Sequence, residues 1–519
     1  MGTCVTVTDQ VEKWGIFEIA LEGRADGNPF TDYEIKGEFK GACEHKCVDG
    51  FYDGEGVYRV RFMPSFEGEY TYKIYGSFRD GDAVEGSFRA APAGEGNHGP
   101  IRVSHIFHFA YEDGTPYYSI GTTCYVWALQ AEELQEQTLA TLKDSAFNKI
   151  RFCIFPKHYD YNLREPYSYP YEGTPCDSSV LTPENFHDYN GCAPGNDWNY
   201  KKFNPKHFAH LERRIKDLMD LGIEADLIVM HPYDRWGFSL MSKEEDDLYW
   251  KYVIARFSAY RNVWWSLANE YDLMPQKSLA DWERYASILC EKDVYGHLRS
   301  VHNCKQMYDY TRPWITHCSI QRIDPYLSGE RVQEWREHYQ KPVVLDEIVY
   351  EGDIQHNWGN ISGEEMTRRF WEGAVRGGYP GHGETYLAED NILWWSHGGV
   401  LKGTSPERFH FLWGILKQTP GPGLKPYVPN PFGEDLSGTV DSLIPVPYYL
   451  FYYGYRRPRF KEYYFDDEKE YVAEVLDTWN MTITKCGTFR GKFKVELPGR
   501  AYVAVRIYEK GLLLEETSV

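Results

Sequence analysis

The sequence predicts an α/β protein, a (β/α)8 TIM barrel flanked by an N-terminal β-sandwich and a small C-terminal one, and three observations carry that prediction. From about residue 100 to about 420, short apolar runs of strand length alternate with helical stretches, the pattern of a parallel sheet wound with helices. On either side of that region, apolar and polar residues alternate in period two and are broken by Gly, Asp and Pro. Two central runs, Val263 to Ala268 and Val343 to Asp346, end on Asn269-Glu270 and on Glu347. That pattern puts one carboxylate at the C-terminal end of each of two strands, the face where parallel barrels carry their chemistry.

The elements follow in order. Trp14 to Leu21, Tyr58 to Phe62 and Glu69 to Tyr75 show strict alternation and read as sandwich strands. Ala90 to Gly96 is a small-residue linker. The barrel strands are expected at Tyr117 to Gly121, Lys149 to Phe155, Glu224 to Met230 and Val263 to Ala268. They continue near Ser300 to His302, near Ile315 to His317, at Val343 to Asp346, and between Tyr379 and Trp395. Asn204 can cap a helix whose apolar stripe is Phe208, Leu211, Ile215 and Leu218 and which Gly222 ends. Further helices are expected over 244–260, 278–291, 328–339 and 363–376, and one more ends near Lys417. Pro420 to Pro431 reads as a connector, after which period two returns at Tyr471 to Leu476 and Tyr502 to Ile507. The expected domains are 1–96, 97–425 and 426–519.

Bulk composition narrows the function. Acidic residues outnumber basic ones by 77 to 56, a net charge of −21, which repels phosphate backbones and anionic lipid. The expectation is therefore no nucleic-acid partner, no membrane partner, and a neutral substrate such as a sugar. Aromatic residues make up 16% of the chain, and sugar rings stack on such side chains, although most aromatics build cores. Eleven cysteines without regular spacing, and no basic region followed by an apolar core in Met1 to Gln10, suggest reduced thiols in a cytoplasm. A homo-oligomer is left open.

Two carboxylates at facing strand ends are what a retaining glycosidase needs, since its nucleophile and acid/base flank the scissile bond. The bland alternative, in which each glutamate merely pairs with an arginine, suits one such residue better than two. Asn269 stands next to the expected acid/base, where its amide can bond the sugar's 2-hydroxyl. Other polar residues at or just past strand ends are candidates for substrate contact: His158, His231, Asp234, His302 and His317. Of the adjacent Trp394 and Trp395, at most one can face a pocket, and Trp394 is taken as the stacking residue; Trp127 and Trp358 are weaker candidates. A zinc-dependent barrel would carry a His-x-His pair after its first strand, and none of the 17 histidines forms one. Cys43-Glu44-His45-Lys46-Cys47 could clip a zinc ion, but no second pair accompanies it. No metal ligand and no cofactor are therefore expected.

The glutamate pair resembles that of clan A of the glycoside hydrolases, which carry acid/base and nucleophile at the ends of strands four and seven. The resemblance implies Glu270 as acid/base, Glu347 as nucleophile, and Arg151 as the arginine that contacts the nucleophile. The wider chain resembles the apiosidase-like glycoside hydrolases in a three-part arrangement. Gly50 to Gly56 with Tyr58 to Pro64 is similar to their N-terminal sandwich, and Ile223 to Gly237, with His231-Pro232-Tyr233-Asp234-Arg235-Trp236, to their barrel. Leu476 to Thr482 with Leu497 to Arg500 resembles their C-terminal sandwich. Members that release apiose tend to have Gly-Asp where this chain has Asn269-Glu270, which directs the expectation away from apiose and reinforces a retaining mechanism. The expected activity is removal of a terminal sugar from a plant-type glycoside or short oligosaccharide. A non-catalytic carbohydrate-binding barrel, a metal-dependent hydrolase and a transglycosylase are the alternatives.

Overall fold

The computed structural model describes residues 4–7, 9–322, 329–429 and 436–513. Its centre is an eight-stranded parallel sheet curled into a barrel. The strands are, in chain order, Gly121–Thr123, Lys149–Cys153, Glu224–Met230, Val263–Ala268, Arg299–Ser300, Cys318–Gln321, Val343–Glu347 and Tyr379–His382. The first pairs with both the second and the eighth, and a bridge between His302 and Ser319 brings the fifth and sixth together. The strands are buried on both faces, as barrel strands must be when helices cover the outside.

Two expected strands move. Tyr117 belongs to a short strand that pairs antiparallel with Phe109, so the first barrel strand begins only at Gly121. The sixth lies at Cys318–Gln321, because Ile315 closes a turn onto Arg312. The helix capped by Asn204 spans Pro205–Asp220, with the Asn204 Oδ1 accepting from the Lys206 N–H at 3.2 Å. The helix expected from residue 328 runs over Val332–Tyr339; residue 328 itself, like residues 430 and 431 of the connector, lies outside the described residues. A helix at Glu132–Lys143 escaped the periodicity because its buried side chains include Gln135 and Thr138. Gln135 accepts from the Arg214 Nε at 2.6 Å, a polar contact that breaks the apolar stripe.

The N-terminal residues form a four-stranded and a five-stranded sheet packed face to face, with Phe17 stacked on Phe88 and Phe39 on Phe62. Buried ion pairs tie this sandwich to the barrel: Glu212 bonds Arg61 and Arg256, each at 2.6 Å, and Arg256 reaches Asp53 at 2.9 Å. A six-stranded antiparallel sheet that begins at Leu424 packs against the helix Gly363–Val375 and carries a two-stranded partner. Among the described residues no helix is long and apolar enough to cross a membrane.

Inside the barrel, below the C-terminal strand ends, Lys149 lies between Asp226 at 2.7 Å and Asp346 at 2.8 Å, all three buried. Gly381 has no Cβ because one would sit 2.6 Å from the Asp346 carbonyl oxygen, which lets strands seven and eight close against this layer. Lys149→Met would strand two buried carboxylates, so we expect it to cost about 3–5 kcal/mol of stability, measured by reversible denaturant unfolding. A loss below about 1 kcal/mol would show that the layer is not held by this lysine.

Candidate active site

Strands four and seven deliver the two glutamates. Glu270 lies two residues past the end of strand four, and its backbone leaves strand geometry for the left-handed region, with φ 53° and ψ 57°. Such a conformation in a non-glycine residue costs on the order of 1–3 kcal/mol and persists only where neighbours over-determine it. Here the Glu270 N–H donates to His302 Nδ1 at 3.4 Å, and its carbonyl accepts from the Leu273 N–H at 2.9 Å. Two residues past Glu347, Val349 has φ 72°, rarer still for a β-branched side chain. Both strand ends therefore turn sharply where their carboxylates stand.

One hydrogen-bonded chain joins the two acids. Arg151, in the middle of strand two, donates from Nη1 to Glu347 Oε1 at 3.3 Å and from Nη2 to Asn269 Oδ1 at 3.0 Å. The Asn269 amide nitrogen donates to Glu270 Oε2 at 3.1 Å. The Tyr125 hydroxyl lies 3.2 Å from Asn269 Oδ1 and also reaches Glu347. It has one proton, which the carboxylate, as the stronger acceptor, takes. Tyr233 donates its hydroxyl to Glu270. His302 accepts at Nδ1, so its neutral ring carries the proton on Nε2, 3.8 Å from Glu347 Oε1. Burial, and next Arg151, hold this imidazole well below its usual range and keep it neutral.

Glu270 is 5% exposed and Glu347 is 9% exposed. Burial first, and then the negative charge of Glu347, push the Glu270 carboxyl up to about 7, against the Tyr233 hydroxyl and the Lys157 charge, which pull the other way. Glu347 instead faces a guanidinium and a phenol O–H, donors that complement a negative oxygen. Two identical side chains thus stand in different settings.

Sequence reasoning missed four residues around the pair, Tyr125, Lys157, Tyr159 and Tyr233, and of two adjacent tryptophans it chose Trp394 where Trp395 stands beside the pair. The Lys157 ammonium sits 3.4 Å from the Tyr125 ring centroid, 4.3 Å from that of Tyr233 and 4.7 Å from that of Trp395. Tyr159 packs edge-on against Tyr233 and Trp395, and Trp358 lies 5.0 Å from Trp395. The signal was available, since Tyr125, Lys157 and Tyr233 each lie a few residues past a strand end. Placing strand one too early hid Tyr125, and the preference for histidine passed over the neighbours of His158 and His231.

Several expected contacts lie elsewhere. His317 precedes strand six at the opposite, N-terminal end of the barrel, packed against Trp264 and Phe109. Asp234 is consumed by its own loop, accepting from the backbone N–H groups of Trp236, Gly237 and Ser239 at 2.7, 3.1 and 2.9 Å and from the Ser239 hydroxyl. Trp394 is buried beside Phe147 and donates to the Thr122 hydroxyl at 2.8 Å, so Trp395 is the tryptophan beside the pair. His158 and His231 each spend Nε2 on a backbone carbonyl, of Phe186 and Phe155, both at 3.3 Å, and neither bonds a carboxylate of the pair. Trp127 is buried against Phe152.

Metal-ligating atoms gather at one place among the described residues, where Glu351, His382 and Glu384 each offer one within 4.8 Å of the others. Their carboxylates already accept from the backbone N–H groups of Lys402, Gly403, Thr404 and Ser405. The cluster fastens the 402–405 loop by these bonds, a role that needs no ion. In the Cys43–Cys47 segment, His45 bonds Glu38 at 2.7 Å and Glu44 pairs with Lys46 at 2.9 Å. Those side chains are committed to neighbours rather than turned toward a shared ion.

Three family models match the chain: a domain of unknown function designated DUF5060 over residues 10–77, the apiosidase-like catalytic domain over 105–410, and a second domain of unknown function, DUF5605, over 442–508. No curated protein matches. A solved structure from Bacteroides vulgatus ATCC 8482, described as a "putative glycoside hydrolase", is 37% identical with a TM-score of 0.88, over 97% of this chain and all of that one. A glycoside hydrolase family 5 structure from the same organism shares the fold, at 17% identity and a TM-score of 0.58, over 81% of this chain and 96% of its own. With more than half of its length matched by the apiosidase-like model, the chain belongs to the apiosidase-like family.

Proposed function

We propose that this glycoside hydrolase removes a terminal sugar by double displacement, with Glu347 as the nucleophile and Glu270 as the acid/base. The observation that carries the reading is the chain of hydrogen bonds through Asn269, which holds two carboxyl groups at one barrel mouth in different settings. A Glu347 oxygen attacks the anomeric carbon, and the bond to the leaving oxygen breaks as Glu270 gives that oxygen its proton. Glu270 then takes a proton from water, whose oxygen displaces Glu347 and restores the original configuration. Arg151 and Tyr125 hold the nucleophile in line, and Asn269 lies where the sugar's 2-hydroxyl would come to rest. The near-complete burial of both acids supports action at the end of a glycan, because the interior of a polymer could not thread so closed a site. A barrel that only bound sugars would gain nothing from a carboxyl poised near neutrality.

Glu347→Ala should lower turnover by on the order of 10⁴-fold or more, as loss of a covalent nucleophile does, and azide should restore it with a glycosyl azide of inverted configuration as product. A product of retained configuration would reassign Glu347 as the acid/base. The pH profile of kcat/KM gives a second check. Glu270 must be protonated to act, so the rate should fall as pH rises through about 7. Glu270→Gln should abolish that limb and slow substrates with poor leaving groups by about 10²–10⁴-fold, while activated aryl glycosides still form the glycosyl-enzyme. Persistence of the limb in Glu270→Gln would assign it to another group.

A further inference from the structure

We propose that Lys157 recognises an oxyanion on the sugar bound between the two glutamates, so that the preferred substrate is a glycoside whose terminal sugar carries a carboxylate or a sulfate. The proposal rests on the glycosidase reading and deepens it.

Three lysines are buried in the described structure, Lys149, Lys157 and Lys277. Two of them are fully matched. Lys149 bridges Asp226 and Asp346, and Lys277 pairs with Asp246 at 2.6 Å and donates to the Met241 carbonyl at 2.8 Å. Lys157 is only 3% exposed, yet among the described residues no oxygen accepts from its ammonium and no carboxylate pairs with it. Its surroundings are ring faces: Tyr125, Tyr233 and Trp395, with Tyr159 at 5.3 Å. Ring faces attract a cation but do not replace the acceptors that three N–H bonds had in water. Burial accordingly lowers this ammonium to about 8, which leaves it mostly charged at neutral pH.

Its position says what should complete it. Tyr125 donates to Glu347 and Tyr233 donates to Glu270, so the rings that enclose the ammonium are those that hold the two acids. A sugar reacting between Glu270 and Glu347 must lie against this cage. A hydroxyl would satisfy one N–H, and Glu270 and Glu347, whose charges act on the ammonium, form no ion pair with it, whereas an oxyanion supplies several acceptors and the opposite charge in contact. A site that buries an unmatched donor discriminates strongly against ligands that leave it unmatched. The overall charge of −21 would oppose a long polyanion at the surface, yet its field is screened beyond about 8 Å in physiological salt. A small anionic glycoside, or the anionic end of a short glycan, fits both facts.

The test compares wild type, Lys157→Met and Lys157→Arg on matched aryl glycosides: hexuronides, 6-O-sulfated hexosides and the parent neutral hexosides. Binding of the free sugars (glucuronate, galacturonate, glucose 6-sulfate and glucose) to the same proteins is followed by calorimetry. Wild type should favour an oxyanion-bearing substrate by roughly 10²-fold or more in kcat/KM, and Lys157→Met should erase that preference, bringing the ratio of anionic to neutral substrates to within about fivefold of unity. Lys157→Arg, which keeps the charge, should recover part of it. The uronide and sulfate arms decide which oxyanion is read. Equal or better turnover and binding of neutral sugars by wild type would overturn the proposal. So would a Lys157→Met variant that keeps the wild-type ratio of anionic to neutral substrates, the mark of a residue that only tunes the glutamates. Selective binding of the anionic sugars, lost in Lys157→Met without any hydrolysis in wild type, would sustain this proposal and sink the glycosidase reading instead.

Discussion

The amide of Asn269 is the constraint on which the mouth of this barrel depends. Its oxygen accepts from Arg151 and its nitrogen donates to Glu270, so a single planar group fixes the distance and orientation between an arginine-held carboxylate and a carboxyl near neutrality. The orientation is self-consistent, because Arg151 has only donors to offer and the amide must turn its oxygen toward it. Glu270 must then receive the nitrogen. Rotating the amide would set Nδ2 against a guanidinium and Oδ1 against a carboxylate, with both contacts repulsive. The left-handed backbone of Glu270 is tolerable because this bond, the Tyr233 hydroxyl and His302 all hold the residue from different sides.

Arg151 can serve this purpose because the layer beneath it is charge-balanced. Lys149 and Arg151 sit two residues apart on strand two and so point to the same interior. Asp226 and Asp346 face them from strands three and seven. Lys149 is satisfied by two carboxylates, and the pull of Asp346 on Arg151 leaves its Nη atoms free for the groups above. The opposite end of the barrel is sealed by an apolar cluster that includes Phe109, Tyr117, Trp264 and Tyr379. Both glutamates thus stand at the other end, and the flanking sandwiches are joined to the barrel by ion pairs and helix packing.

Strands three and four were legible to the residue, since each is six or seven residues long and mostly apolar, and strand seven nearly so. The first, fifth and sixth are short, only two to four residues in the structure, and a run of that length leaves no periodicity to read. The two glutamates and Asn269 were legible for another reason, that a charged or amide side chain at the end of a buried strand is conspicuous, whereas Arg151 came from the resemblance to clan A. The same rule misled at His317 and Asp234. Which end of a strand a residue occupies, and whether a carboxylate is consumed by its own turn, are decided by tertiary contacts that leave no local mark. Trp394 and Trp395 show the limit most plainly, because adjacent identical residues differ only in the side of a one-turn helix from which they project. Lys157 was silent for the opposite reason: what matters is the absence of a partner, and no sequence displays that.

The central claim is that a covalent bond forms between the sugar and Glu347. The most direct measurement is mass spectrometry of the protein after reaction with a 2-deoxy-2-fluoro glycoside carrying an activated leaving group, followed by peptide mapping of the adduct. The account predicts one sugar added per chain, on the peptide that contains Glu347, with release of the label on addition of an acceptor. A label on Glu270 would reverse the two roles, and turnover of an activated substrate with inversion and no adduct would contradict the double displacement altogether.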